Sequence, residues 1–175
     1  MNKFLFTIFA IFSATYTLAA SASAQTNKLP ALQTVPNVDL GRYVGKWYEI
    51  AKYPNRFQKQ CVANTTATYA MKAGGRLEVV NECVKKDGTG ERAVGEAKIA
   101  DKKTNAKLKV RFAPGALSFL PFVWGNYWII DLDKDYGYVA IGEPKREYFW
   151  ILARKPVLDD AVYQDIVRRA EAMGF

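Results

Sequence analysis

The sequence predicts an all-β domain: an eight-stranded antiparallel up-and-down β-barrel, closed on itself, with one C-terminal α-helix packed on the outside. Three observations carry that expectation. Eight short segments of alternating or wholly apolar character follow one another from Gly45 to Ala153, nearly all joined by short turns, and one amphipathic helical stripe fills the end of the chain. Links this short cannot make parallel crossovers, so consecutive strands are antiparallel neighbours. An open sheet would leave two long edges of unpaired N–H and C=O groups, and closure removes both. A ring of eight strands is wide enough to enclose one small ligand. A two-sheet sandwich is the alternative architecture.

The chain begins with one charge at Lys3, an apolar run from Phe4 to Phe12, and small residues ending Ala20-Ser21-Ala22-Ser23-Ala24. That order predicts a secretory signal peptide over residues 1–24, cleaved after Ala24. The apolar run is too short to span a bilayer. No Cys lies near the cleavage site, so an N-terminal lipid anchor is not expected. Residues 25–37, with Pro30 and Pro36 and no clear period, read as an extended N-terminal arm. The domain proper is expected over residues 38–175.

Asp39 to Val44 reads as a turn or single helical turn feeding the first strand, Gly45-Lys46-Trp47-Tyr48-Glu49-Ile50-Ala51-Lys52-Tyr53. Strict alternation would set Trp47, Glu49, Ala51 and Tyr53 on one face, opposite Tyr48, Ile50 and Lys52. Gly45 suits a place where the backbone turns sharply or passes close to another group. Strands are then predicted at Asn64–Lys72, Arg76–Val84, Arg92–Ala100, Ala106–Phe112, Tyr127–Leu132, Tyr138–Ile141 and Tyr148–Ala153. The Gly74-Gly75 and Asp87-Gly88 steps are the clearest turns between them. In the fifth strand Leu108, Val110 and Phe112 alternate against Lys107, Lys109 and Arg111, the cleanest half-buried pattern in the chain.

One connection is long. Residues 113–125 are rich in apolar side chains (Leu117, Phe119, Leu120, Phe122, Val123, Trp124), which points to a barrel lid or rim, or else to a membrane or partner contact. After Pro156, Asp159 reads as the N-cap of a helix over Asp160–Met173, with Gly174 as its stop. Val162, Ile166, Ala170 and Met173, flanked by Tyr163 and Val167, form the stripe expected to lie against the barrel.

Composition narrows the function. The chain contains no His, which removes Ser-His-Asp and Cys-His catalysis, the usual proximal haem ligand and the common His-bearing zinc sites. Cys61 and Cys83 are the only cysteines, too few for a structural zinc site, and in an exported protein such a pair predicts one disulfide. Neither a metal nor a cofactor is expected. The net charge is +8, or +7 once Lys3, the sole charged residue of the signal peptide, is removed. Export argues against nucleic acid as the partner, leaving a basic solvated surface or an anionic ligand or membrane.

Three stretches carry a family resemblance: Gly45-Lys46-Trp47-Tyr48-Glu49, Asp131-Leu132-Asp133-Lys134-Asp135-Tyr136 and Trp150-Ile151-Leu152-Ala153-Arg154. In their order and spacing they resemble the three signature blocks of the lipocalin family. The wording around the first and third is similar to the bacterial outer-membrane (Blc-like) subgroup, related to apolipoprotein D. The resemblance implies that Gly45, Trp47 and Arg154 are structural, with Trp47 plugging the closed end and Arg154 lying across its ring. It also implies an apolar cavity lined by Trp150 and Leu152 on the eighth strand. Tyr127 and Ile129 are the candidates on the sixth, with Trp128 as the alternative, and Tyr53 is the candidate on the first.

The function so implied is non-enzymatic carriage of a small hydrophobic ligand, of the fatty acid or lysophospholipid class, by a periplasmic or secreted protein. Two alternatives stand beside it. One is an envelope module that docks on a membrane or a protein through residues 113–125. The lesser one is an enzyme built on the same barrel, with Glu49, Tyr53 and Tyr127 as its acid-base groups.

Overall fold

A computed structural model describes residues 29–175. The predicted signal peptide and the first residues of the arm lie outside the described residues. The strands are β1 (Gly45–Lys52), β2 (Cys61–Lys72), β3 (Arg76–Lys85), β4 (Gly90–Ile99), β5 (Lys107–Arg111), β6 (Gly125–Leu132), β7 (Tyr138–Gly142) and β8 (Phe149–Ala153). Each pairs antiparallel with the next, and β8 returns to β1, so the sheet is a closed barrel and not a sandwich. A one-turn helix, α1 (Leu40–Tyr43), precedes β1, and α2 (Asp160–Ala172) follows β8.

Two apolar clusters divide the molecule. The inner one gathers Trp47, Tyr69, Leu77, Val79, Ala97, Leu108, Ile129, Ile141 and Leu152. The outer one lies between the barrel wall and α2 and includes Leu32, Ile130, Phe149, Ile151, Ile166 and Ala170. The helix is held as its sequence pattern requires. The Asp159 carboxylate accepts from the Ala161 and Val162 N–H groups, and Ile166 and Ala170 are its buried face. Arg169 donates to Asp131 Oδ2 (2.7 Å) and to the Tyr138 hydroxyl (3.0 Å), locking α2 to β6 and β7.

In β1 and β6, and at the start of β2, strict alternation fails where the register shifts. In β1 the register against β8 slips between Glu49 and Ala51: Glu49 pairs with the inner Leu152, Ala51 with the outer Ile151, and Lys52 with Trp150. Ala51 and Tyr53 therefore leave the face of Trp47, and Lys52 joins it. In β6 a slip between Ile129 and Asp131 leaves Ile130 outside and frees Asp131 for Arg169. β2 starts at Cys61, three residues before the predicted Asn64. Asn64 has φ +52°, and the register shifts on either side of Ala63, so this irregular stretch reads as loop in the sequence. The described part of the arm is pinned to the barrel: Leu32 is buried, Val35 N–H donates to Ile129 O, and Arg146 donates to Pro30 O.

Cys61 and Cys83 form a disulfide that joins the mouth ends of β2 and β3, with Cα atoms 5.6 Å apart. They are separated by 22 residues, and a loop of that size restricts the unfolded chain by about 3 kcal/mol. The Cys61→Ala/Cys83→Ala double variant is expected to lose stability of that order in urea unfolding while keeping its β-sheet circular dichroism.

Candidate ligand cavity

The closed end is built from α1, the start of β1 and the end of β8. Gly45, at φ +98°, redirects the chain from α1 into β1, and a Cβ there would lie 3.2 Å from Arg154 Nη1. Trp47 is fully buried and donates its Nε1–H to Tyr43 O at 2.8 Å. The Arg154 guanidinium sits 3.8 Å from the Trp47 ring centroid. It donates through Nη1 to Lys46 O and through Nη2 to the carbonyls of Arg42, Tyr43 and Val44. A helix leaves its last carbonyls without intrahelical partners, and for α1 this one side chain bonds the final two, those of Arg42 and Tyr43. Gly45, Trp47 and Arg154 thus act together as a floor.

Above that floor three phenols meet. Tyr43 reaches up from α1, and its hydroxyl lies 2.6 Å from that of Tyr127; the Tyr69 hydroxyl lies 2.9 Å from the same oxygen. Burial raises the pKa of all three, that of Tyr69 to about 12, so they remain neutral hydroxyls across the physiological range. Strand register then places Ala67, Asn81, Ala93, Val79, Gly95, Leu77 and Ala97 on the β2–β3–β4 wall, a surface of mostly small side chains. On the opposite side Val110, Tyr127 and Trp150 pack on the inner cluster yet keep partial exposure. In a closed ring an inward side chain gains such exposure from the lumen or at its open mouth.

The mouth is polar on one side. Lys52 and Glu49 form an ion pair; Gln58 donates to Glu49 Oε2 (2.7 Å) and accepts from Trp150 Nε1 (3.1 Å). Tyr148 stacks on Trp150, and Phe57 packs on Tyr148. Elsewhere at this end residues 113–124 fold into two 3-10 turns, Gly115–Leu117 and Pro121–Val123. Trp124 is their anchor, set against Lys98 and Arg111 with its Nε1 bonded to Ser118 O. Phe119 and Phe122, by contrast, stand out at 76% and 79% exposure.

Of the candidate lining residues, Tyr127, Ile129, Trp150 and Leu152 face the interior. Trp128 is outside, under the ammonium of Lys107. Tyr53 is a correction. It lies beneath α2, its ring 5.5 Å from that of Phe149 and 6.4 Å from that of Phe175, because the β1 bulge moves it off the inner face. Sequence reasoning passed over Tyr43, Tyr69, Asn81, Lys52 and Gln58. Tyr69 and Asn81 carried a usable signal, since both stand on alternating strands. Lys52 and Gln58 carried none, because a bulge and a short 3-10 turn turn them inward.

Residues 38–175 match the family model described as a lipocalin-like domain. Temperature-induced lipocalin-1 of Arabidopsis thaliana is 38% identical over 148 residues, covering 82% of this chain and 77% of the relative. Outer membrane lipoprotein Blc of Escherichia coli K12 is 38% identical over 142 residues, covering 81% and 76%, and apolipoprotein D of Mus musculus is 34% identical over 167 residues, covering 90% and 80%. Among solved structures, insecticyanin of Manduca sexta aligns with a TM-score of 0.65 at 23% identity, covering 83% of this chain and 80% of that one. At that identity the likeness speaks for the fold.

Two outcomes are expected of the floor. Arg154→Met removes the stacking and the donors to four carbonyls, and should cost about 2–4 kcal/mol in denaturant unfolding, with Arg154→Lys recovering only a part. The tyrosines set an alkaline limit. Their folded pKa values are raised, so above about pH 10 the unfolded chain loses these protons first. Stability is therefore intact below that pH and falls as pH climbs toward 12. Tyrosinate absorbance should lag for three residues until the unfolding transition, and Tyr127→Phe should flatten the decline.

Proposed function

The chain belongs to the lipocalin family, and on that premise we propose that it binds and carries one lipophilic molecule, of the fatty acid or lysophospholipid class, outside the cytoplasm. The observation that supports this reading is the partial exposure of Val110, Tyr127 and Trp150 inside a closed ring of strands. Each methylene taken from water into such a space gains about 0.8 kcal/mol, enough over a long acyl chain to offset the entropy of holding it. The ammonium of Lys52 uses one contact, to Glu49, and suits an anionic headgroup at the mouth. The export pattern of residues 1–24 and the name of the relative, outer membrane lipoprotein Blc, support a place in or beyond the cell envelope.

This is the reading of a binding protein and not of an enzyme. With no His in the chain, the acid-base candidates are Glu49, Tyr53 and Tyr127. Glu49 is tied to Lys52 and Gln58, Tyr53 lies under α2, and burial holds Tyr127 neutral. A membrane contact complements the carrier reading. Phe119 and Phe122, uncovered beside the mouth, would let the protein take up or release its cargo at a lipid surface.

Titrating delipidated protein with lysophosphatidylcholine or hexadecanoic acid should quench Trp fluorescence to a one-to-one end point and raise the melting temperature. A flat titration with no lipid retained in native mass spectrometry would refute carriage. For the surface contact, Phe119→Ser/Phe122→Ser is expected to reduce co-sedimentation with liposomes severalfold while leaving the affinity for monomeric lipid unchanged.

A further inference from the structure

We propose that the barrel floor is a hydroxyl-binding subsite: the Tyr43–Tyr127–Tyr69 cluster, with Asn81 on the wall above, receives a neutral alcohol at the leading end of the lipid. The inference rests on the carrier reading and adds the chemistry of the end that enters first.

Counting protons gives the argument. Three tyrosine hydroxyls supply three O–H donors, and their two contacts, Tyr43–Tyr127 and Tyr69–Tyr127, consume two. Whichever way the two bonds run, one proton is left with no acceptor among the described residues. It cannot be removed by ionisation, because burial raises all three pKa values. A polar hydrogen enclosed without a partner is destabilising unless something enters to accept it. Tyr127, the shared member, is the one that keeps partial exposure toward the lumen.

Asn81 supplies the complementary lack. Its Oδ1 is buried and has no hydrogen-bond partner among the described residues. Register sets it opposite Ala67 and Ala93, one inward step mouthward of Val79, which itself faces Tyr69. A spare donor and a spare acceptor thus lie on one interior surface, with the small side chains of Ala67 and Ala93 flanking Asn81 in the register. An alcohol is the group that accepts from one and donates to the other. A carboxylate or phosphate does not fit this depth. The Arg154 guanidinium below is spent on four carbonyls beneath the Trp47 ring, whereas the ammonium of Lys52 stands at the mouth. The two ends select an amphiphile with its acid at the rim and a hydroxyl at the far end of its chain.

The test compares hexadecanoic acid with 16-hydroxyhexadecanoic acid by calorimetric titration of the delipidated protein, its Tyr127→Phe and Asn81→Ala variants, and Tyr69→Phe in case Tyr127→Phe does not fold. The ratio of the two dissociation constants is the readout. Relative to wild type it should shift toward the plain acid by about tenfold in the tyrosine variant and severalfold in Asn81→Ala. A ratio that stays where it is in every variant overturns the subsite while leaving carriage intact. If neither acid binds wild type, carriage and subsite fall together.

Discussion

Closing a sheet into a ring requires that its last strand find its first, and in this protein Arg154 fastens that joint. It follows β8 directly, lies across the indole that begins β1, and bonds the carbonyls where α1 hands over to β1. The contact is economical because it meets two needs at once. The carbonyls at the end of a short helix must be satisfied, and the large ring of Trp47 must be covered from below. A guanidinium, planar and rich in donors, does both, where an ammonium would be a single point of charge. Everything above depends on this, since without it the ring would be open to water at both ends.

Where the wall is regular it simply alternates; where it departs from alternation it gains a function. The bulge in β1 turns Lys52 toward the mouth and sends Tyr53 under the helix. The bulge in β6 releases Asp131 to Arg169, so the outer helix is held by charge as well as by apolar packing. Each is one extra residue in a strand, and each reassigns every side chain that follows it.

The lumen that results has two polar levels separated by an apolar wall. At the rim Glu49, Lys52, Gln58 and Trp150 form a charged, hydrogen-bonded network. At the floor the phenols are neutral and stay so. Between them Ile129, Leu108 and Leu152 offer no polar group. Such a gradient suits an amphiphile better than a uniformly greasy molecule, because each polar atom of the protein needs a partner that lies at its own depth.

Much of this was legible in the residues. Strand count, antiparallel order, closure and the terminal helix follow from local periodicity and short turns, which are written in consecutive residues. The lipocalin signature blocks pointed to Trp47 and Arg154 as a pair, and Ile129 and Leu152 face inward as simple alternation puts them. What the chain alone left open was anything fixed by pairing between distant strands. Tyr53 was misplaced because a bulge is set by the register of β1 against β8, a hundred residues apart in sequence. Tyr43, Tyr69 and Tyr127 come from α1, β2 and β6 and meet only once the ring has closed. By itself the sequence determined which segments are strands and in what order they join. The tertiary structure decided which side chains share the interior, because inside and outside exist for a strand only after its neighbours have fixed its register.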